Sequence, residues 1–251
     1  MANEKLKIIR LFSYFGTKGQ LVHQNAYPVP RHHTIIEPFA GSAAYSCRYG
    51  LDRNVLLFEL DMIVFGVLDY LIKAKPQEIL RLPLCQDGLP IATHTKLCQE
   101  QQWLIGFWGR VGSVIPAKKC YSWRNQRKGG DFYNYPWNTR TRERLAATVS
   151  LIKHWKVFNS SYECAPNRSA TWFVDPPYQH GVDIYRQKAA VLDFKQLGQW
   201  CKARRGQLIV CETAGATWLP FKVIDSTATH IGAWIHMYKP SHKRVELIYE
   251  R

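Results

Sequence analysis

The residues best equipped for chemistry are Asp175-Pro176-Pro177-Tyr178. The Asp175 carboxylate and the Pro176 carbonyl can each accept a hydrogen from an amine, and the prolines hold those acceptors stiffly because their φ is locked. An amine conjugated to a ring becomes a better nucleophile when both its hydrogens are taken up, an effect that grows toward the transition state. Tyr178 adds an aromatic face on which a flat ring can stack. Alone, the tetrad reads equally well as a Pro-Pro loop with an incidental acid and ring.

The apolar run Thr171, Trp172, Phe173 and Val174 predicts a buried strand that stops at the tetrad, since neither proline can donate to a sheet ladder. Asp175 then sits at a strand's carboxyl end, the edge at which open α/β sheets bind ligands. Two earlier stretches suit the same edge. Phe12 to Gly19 breaks from aromatics into glycines around Lys18, without the GxxxxGK[ST] spacing of a Walker loop; it fits a small anionic group or a plain glycine turn. Thr34-Ile35-Ile36-Glu37-Pro38-Phe39-Ala40-Gly41-Ser42 reads as strand, small-residue turn and helix start, the unit that offers backbone N–H groups to a ligand, with the helix ending near Gly50.

A second strand from Asn54 ends in Glu59 and Asp61, about 20 residues on, where Rossmann-like sites place an acid on ribose hydroxyls. One pleat apart, the two acids are expected to point the same way, so either could serve. The full GxGxxG is missing, which argues against a dinucleotide dehydrogenase. Helical periodicity follows from Met62 with Pro76 as its stop, then a helix over 139–154, a strand over 156–160, and an Asp193-capped helix closed by Gly206. Strands are expected at 207–211, 221–224 and 245–249. Strands and helices alternate at both ends of the chain, so the expected fold class is α/β, one Rossmann-like sheet interrupted by a basic middle. The division is 1–80 and 139–251 for the sheet, with an inserted subdomain at 81–138.

That middle interleaves tryptophans and tyrosines with Arg110, Lys118, Lys119, Arg124, Arg127, Lys128 and Tyr133, and Arg140 opens the next helix. It reads as a phosphate-gripping insertion, as a small tryptophan core with a solvated basic rim, or as both. The whole chain of 251 residues carries a formal charge of +15, more than solubility asks for, and polyanions are the usual partners of such a surface. Its seven cysteines form no CxxC pair, which suits a reducing cytoplasm. His32-His33 lacks an acid or cysteine at metal spacing, so no metal is expected. Nor does any apolar run reach the roughly 18 residues of a membrane span, and no signal-like segment opens the chain.

Taken in order, Tyr14-Phe15-Gly16-Thr17-Lys18, Glu37-Pro38-Phe39-Ala40-Gly41-Ser42, an acid after the second strand, a basic middle and Asp175-Pro176-Pro177-Tyr178 resemble the Dam-type adenine-specific DNA methyltransferases over most of the chain. The stretch Arg127 to Pro136 is similar to that family's glycine-to-proline segment, and Arg244 to Tyr249 to its closing strand. The resemblance implies a methyltransferase sheet, S-adenosylmethionine as methyl donor, and transfer to the N6 amine of a flipped adenine in DNA. By position it implies that Tyr14, Lys18, Glu37, Phe39 and Gly41 contact the donor, with Lys18 near the methionine carboxylate. Glu59, with Asp61 beside it, would take the ribose hydroxyls. Asp175, Pro176, Pro177 and Tyr178 would be catalytic, Asp175 also lying against the donor.

Three positions depart from the family pattern: Thr17 where a second glycine is usual, Ala43 where the donor-loop glycine often sits, and Glu212 in place of a small polar residue. A catalytically silent DNA-binding protein on the same scaffold stays open beside the enzyme, as does methylation of cytosine N4 or RNA, although Asp before Pro-Pro-Tyr leans toward adenine. The recognition sequence, oligomeric state, and a role in restriction, phage DNA protection or housekeeping also stay open.

Overall fold

The computed structural model describes residues 10–84, 89–94, 96–110, 112–119, 123–124, 133–134, 136–181, 185, 192–224 and 246–251, with backbone only at 123–124 and 133–134. Its elements in chain order are α1 (Gly19–His23), β1 (Thr34–Glu37), α2 (Ala44–Tyr49), β2 (Asn54–Phe58), α3 (Met62–Lys73), α4 (Pro76–Arg81), α5 (Gln99–Gly109), β3 (Trp123–Arg124), β4 (Tyr133–Asn134), α6 (Thr139–Leu151), β5 (Lys156–Phe158), β6 (Ala170–Val174), α7 (Phe194–Lys202), β7 (Gly206–Thr213), β8 (Lys222–Val223) and β9 (Glu246–Glu250).

Seven strands form one sheet in the order β5-β2-β1-β6-β7-β9-β8. The first five are parallel to one another, and β9 runs antiparallel to both β7 and β8. This is the doubly wound order of dinucleotide-binding sheets with one antiparallel strand inserted near an edge. Strand order reverses between β1 and β6, whose registers meet at Ile35 with Thr171 and Ile36 with Trp172. Both strands stop there at prolines, Pro38 and Pro176, and the crevice that opens beyond a switch point lies between their ends.

Both sheet faces are covered, which is why β6 is buried at every position from Ala170 to Val174. Alternate residues divide between two cores: Ile35, Phe173, Ile209 and Cys211 face one in which α2, α3, α5 and α6 pack, while Ile36, Trp172, Val174, Leu208 and Val210 face one closed by Leu197 and Cys201 of α7. Helix caps follow sequence chemistry. Asp61 Oδ1 accepts the Ile63 N–H at the start of α3, Asn138 that of Thr141 in α6, and Asp193 that of Gln196 in α7.

Several boundaries differ from the sequence reading. Pro76 both ends one helix and opens another, because its fixed φ and missing N–H suit a first helical position. Gly206 begins β7 instead of closing α7, which stops at Lys202. The middle segment is partly core: Leu104, Ile105 and Phe107 of α5, together with Trp137, join the same cluster as α3. Trp137 is 1% exposed and its indole N–H donates to the Pro83 carbonyl at 2.8 Å. Among the described residues no helix is long and apolar enough to cross a membrane.

Candidate functional site

Lys18 and Asp175 meet at the switch point. The Lys18 ammonium lies 2.8 Å from Asp175 Oδ1 and donates to Oδ2 at 2.9 Å and to the Gly16 carbonyl at 3.0 Å. Burial alone would lower the lysine pKa, but the Asp175 and Glu246 carboxylates outweigh it and raise it, so the ammonium is retained. Burial raises the Asp175 pKa, against the pull of Lys18. The same ammonium sits 4.8 Å from the centre of the Tyr178 ring, a cation–π contact. Tetrad and lysine loop therefore form one charged, aromatic cluster.

The lysine loop is fitted to the turn after β1. Gly16 has φ +75°, a conformation that calls for glycine, and the Tyr185 hydroxyl lies close against it. Gly41 has φ +48°, and a Cβ there would lie 3.6 Å from the Tyr14 ring. Thr17 accepts a hydrogen bond from Ser42 Oγ at 2.9 Å, which gives the first unexpected residue a local task. Ala43, the second, caps α2 at φ +53° and ψ +43°, the left-handed region glycine favours. Phe39 turns away toward Tyr162, with ring centres 5.2 Å apart and planes 24° apart, so it packs on the α7 side of the sheet.

The acids expected at the donor separate into different tasks. Glu37 is 2% exposed and accepts the Ser46 N–H at 2.8 Å, substituting for the side-chain cap that Ala43 lacks. Burial pushes its carboxyl up to about 8. Glu37 thus serves α2. Asp61 is 6% exposed and caps α3. Glu59 remains half-buried: its two oxygens accept the Gly41 N–H at 2.9 Å and the Asp61 N–H at 2.8 Å. Burial raises Glu59 to about 7. The shared direction expected for Glu59 and Asp61 fails because β2 already ends at Phe58, and chain turns rather than pleats set their aim.

Glu212, the third unexpected residue, is fully buried at the end of β7. Its carboxylate accepts the N–H of Gln179 at 3.2 Å, that of Thr213 at 2.9 Å and the Trp218 indole N–H at 2.8 Å. It fixes the backbone just after Tyr178. Sequence reasoning also passed over Tyr27 and Glu246. The Tyr178 and Tyr27 hydroxyls each donate to Glu246 Oε1 at 2.7 Å, and burial keeps both phenols well above their ordinary pKa and neutral. An acid opening a strand in a basic tail was the available signal for Glu246.

Of the basic residues singled out, Arg110, Lys118, Lys119 and Arg140 are exposed, as the neighbouring Arg144 is. Arg124 and Tyr133 are backbone register partners in the β3–β4 pair. Arg127 and Lys128 lie outside the described residues, as does the Arg244-Val245 end of the closing-strand motif. Arg142 is turned inward, its guanidinium donating to the Leu80 carbonyl at 3.2 Å.

The cluster offers a buried cation, a neighbouring carboxylate, an aromatic face, and a second half-buried carboxylate beside a glycine turn. Such a set can hold a zwitterionic ligand by its anionic and hydroxyl groups while presenting acceptors to an amine. Compared with known proteins, the sequence matches no family model and no curated protein.

Proposed function

We propose that the protein is an S-adenosylmethionine-dependent DNA methyltransferase acting on the N6 amine of adenine. The observation that carries this reading is the meeting of Lys18, Asp175 and Tyr178 at the switch point of a doubly wound sheet, with Glu59 held at the adjoining glycine turn. The residues fit the donor. Lys18 matches a carboxylate, Gly41 supplies the left-handed turn beside Tyr14, and Glu59 has lone pairs left for hydroxyl groups after accepting the Gly41 and Asp61 N–H bonds. When bound, the donor supplies an electrophilic methyl group on a sulfonium.

Each residue then has a task. Lys18 holds Asp175 as an acceptor and neutralises charge in a buried setting. The Asp175 carboxylate and Pro176 carbonyl accept the N6 hydrogens and bring the nitrogen lone pair out of conjugation as the transition state forms. With the donor bound, that nitrogen would take the methyl group as its bond to sulfur breaks, and Asp175 or water would receive the surplus N6 proton. Tyr178 supplies a stacking face that offsets part of the few kcal/mol needed to take a base out of the duplex. The exposed Arg110, Lys118, Lys119 and Arg140 suit phosphate contacts in a chain of formal charge +15.

The test is direct. DNA incubated with protein and donor is digested to nucleosides, and N6-methyladenine is expected. Its absence while calorimetry shows the donor bound would remove the activity and favour a silent DNA-binding scaffold; N4-methylcytosine would move the substrate.

A further inference from the structure

Glu246 is the first residue of β9 and lies opposite Thr213, the last residue of β7. In a parallel strand the first residue would sit at the far edge of the sheet. Because β9 runs against its neighbours, its start arrives where they end, beside the tetrad. There Glu246 Oε1 accepts the hydroxyls of Tyr178 and Tyr27, each at 2.7 Å. Tyr27 is a fixed partner: it is 2% exposed and its ring meets Phe173 edge-on at 5.2 Å and 87°.

We propose that Glu246 is a positioning residue that takes the Tyr178 hydroxyl and sets the plane of the ring on which the extruded adenine stacks. The inference rests on the methyl-transfer reading above. Rotation of a tyrosine ring about its last side-chain bond is only broadly restrained, so a bond at the hydroxyl pins the end farthest from the backbone. A charged acceptor makes that bond roughly twice as strong as a neutral one. In-line attack depends on the orientation of the base, so a loosened ring slows turnover without weakening the donor.

The test compares Tyr178→Phe, which removes a single oxygen, with Glu246→Ala, the double variant and Glu246→Gln. Turnover, donor KM and the fluorescence of 2-aminopurine at the target position are read in parallel. Tyr178→Phe and Glu246→Ala are each expected to lower kcat about tenfold, the scale of one charge-assisted hydrogen bond, with donor KM within about twofold. The double variant is expected to lose clearly less than the two single losses multiplied, since both truncations remove the Tyr178–Glu246 bond. Glu246→Gln keeps a neutral acceptor oxygen and is expected to recover about half of the loss in free energy, a rate about threefold below wild type, while both single truncations leave 2-aminopurine brighter through poorer stacking. Wild-type turnover in Tyr178→Phe, or effects that multiply in the double variant, would overturn the positioning role and leave methyl transfer standing. A wild type that makes no N6-methyladenine takes down the underlying reading instead.

Discussion

The Lys18 ammonium spans both oxygens of Asp175, at 2.8 and 2.9 Å, across 157 residues of sequence. The lysine is 8% exposed and the aspartate side chain 20%, so removing one partner strands a largely desolvated charge. Lys18→Met is expected to lower unfolding free energy by roughly 2–3 kcal/mol, toward the low side for buried pairs because Asp175 keeps some solvent. Adding Asp175→Asn should recover at least half of that deficit in urea denaturation. A double variant no more stable than Lys18→Met would mean that the broken charge pairing is not the cause.

Burial of Glu37 gives stability a pH slope. Its carboxyl goes from an ordinary 4.5 to about 8 on folding, so between those values the native state binds more protons than the unfolded one. That contribution is fully present below about 4.5 and is lost as pH rises through about 8. Glu37→Gln keeps an acceptor for the Ser46 N–H and is expected to flatten the slope, making the variant the more stable protein at pH 9. Melting curves from pH 5 to 9 that stay parallel for the two proteins would contradict this.

Ala43 occupies a glycine conformation with its methyl group fully buried. Relief of left-handed strain in Ala43→Gly is worth about 1–2 kcal/mol, but chain entropy takes back about 0.5–1 and the missing methyl about 0.8. These nearly cancel, so Ala43→Gly should change stability by under about 1 kcal/mol, which bears on why alanine stands there. Ala43→Val has no such offset and is expected to lose more than about 2 kcal/mol, since a branched side chain is an outlier in that region. Chemical denaturation of the two variants distinguishes strain from simple packing.

If the exposed bases hold phosphates, DNA affinity must fall with salt. Each of Arg110→Ala, Lys118→Ala and Arg140→Ala is expected to reduce the slope of log affinity against log salt by about 0.9 for every phosphate that the native side chain neutralises. Binding to unrelated sequences should weaken equally, since a grip on the phosphate backbone carries no sequence information. An unchanged slope in all of these variants would move the DNA path elsewhere.

The strand and turn at 34–42 and the strand into the tetrad at 171–178 were legible because β-rich apolar runs and glycine or proline stops are local signals. The doubly wound α/β arrangement followed from their alternation. What escaped was set by distance in sequence. Whether Glu59 or Asp61 faces the turn depends on where β2 frays, which its pairing with β1 and β5 decides. Glu37 had the residue type of a ligand contact, yet only the left-handed turn at Ala43 shows that it caps a helix. Glu246 meets its two phenols through the register of a strand 219 residues from Tyr27, a pairing that no local pattern encodes.

The antiparallel course of β9 also bears on when the cluster comes into being. The Tyr27 and Tyr178 hydroxyls lack their shared acceptor until β9 has docked on β7. The parallel strands β1, β2, β5, β6 and β7 pair without β9, and the meeting of Lys18 with Asp175 involves no residue of it. Pairing of Glu246 opposite Thr213 is therefore the contact that brings both hydroxyls their acceptor and finishes this edge of the sheet.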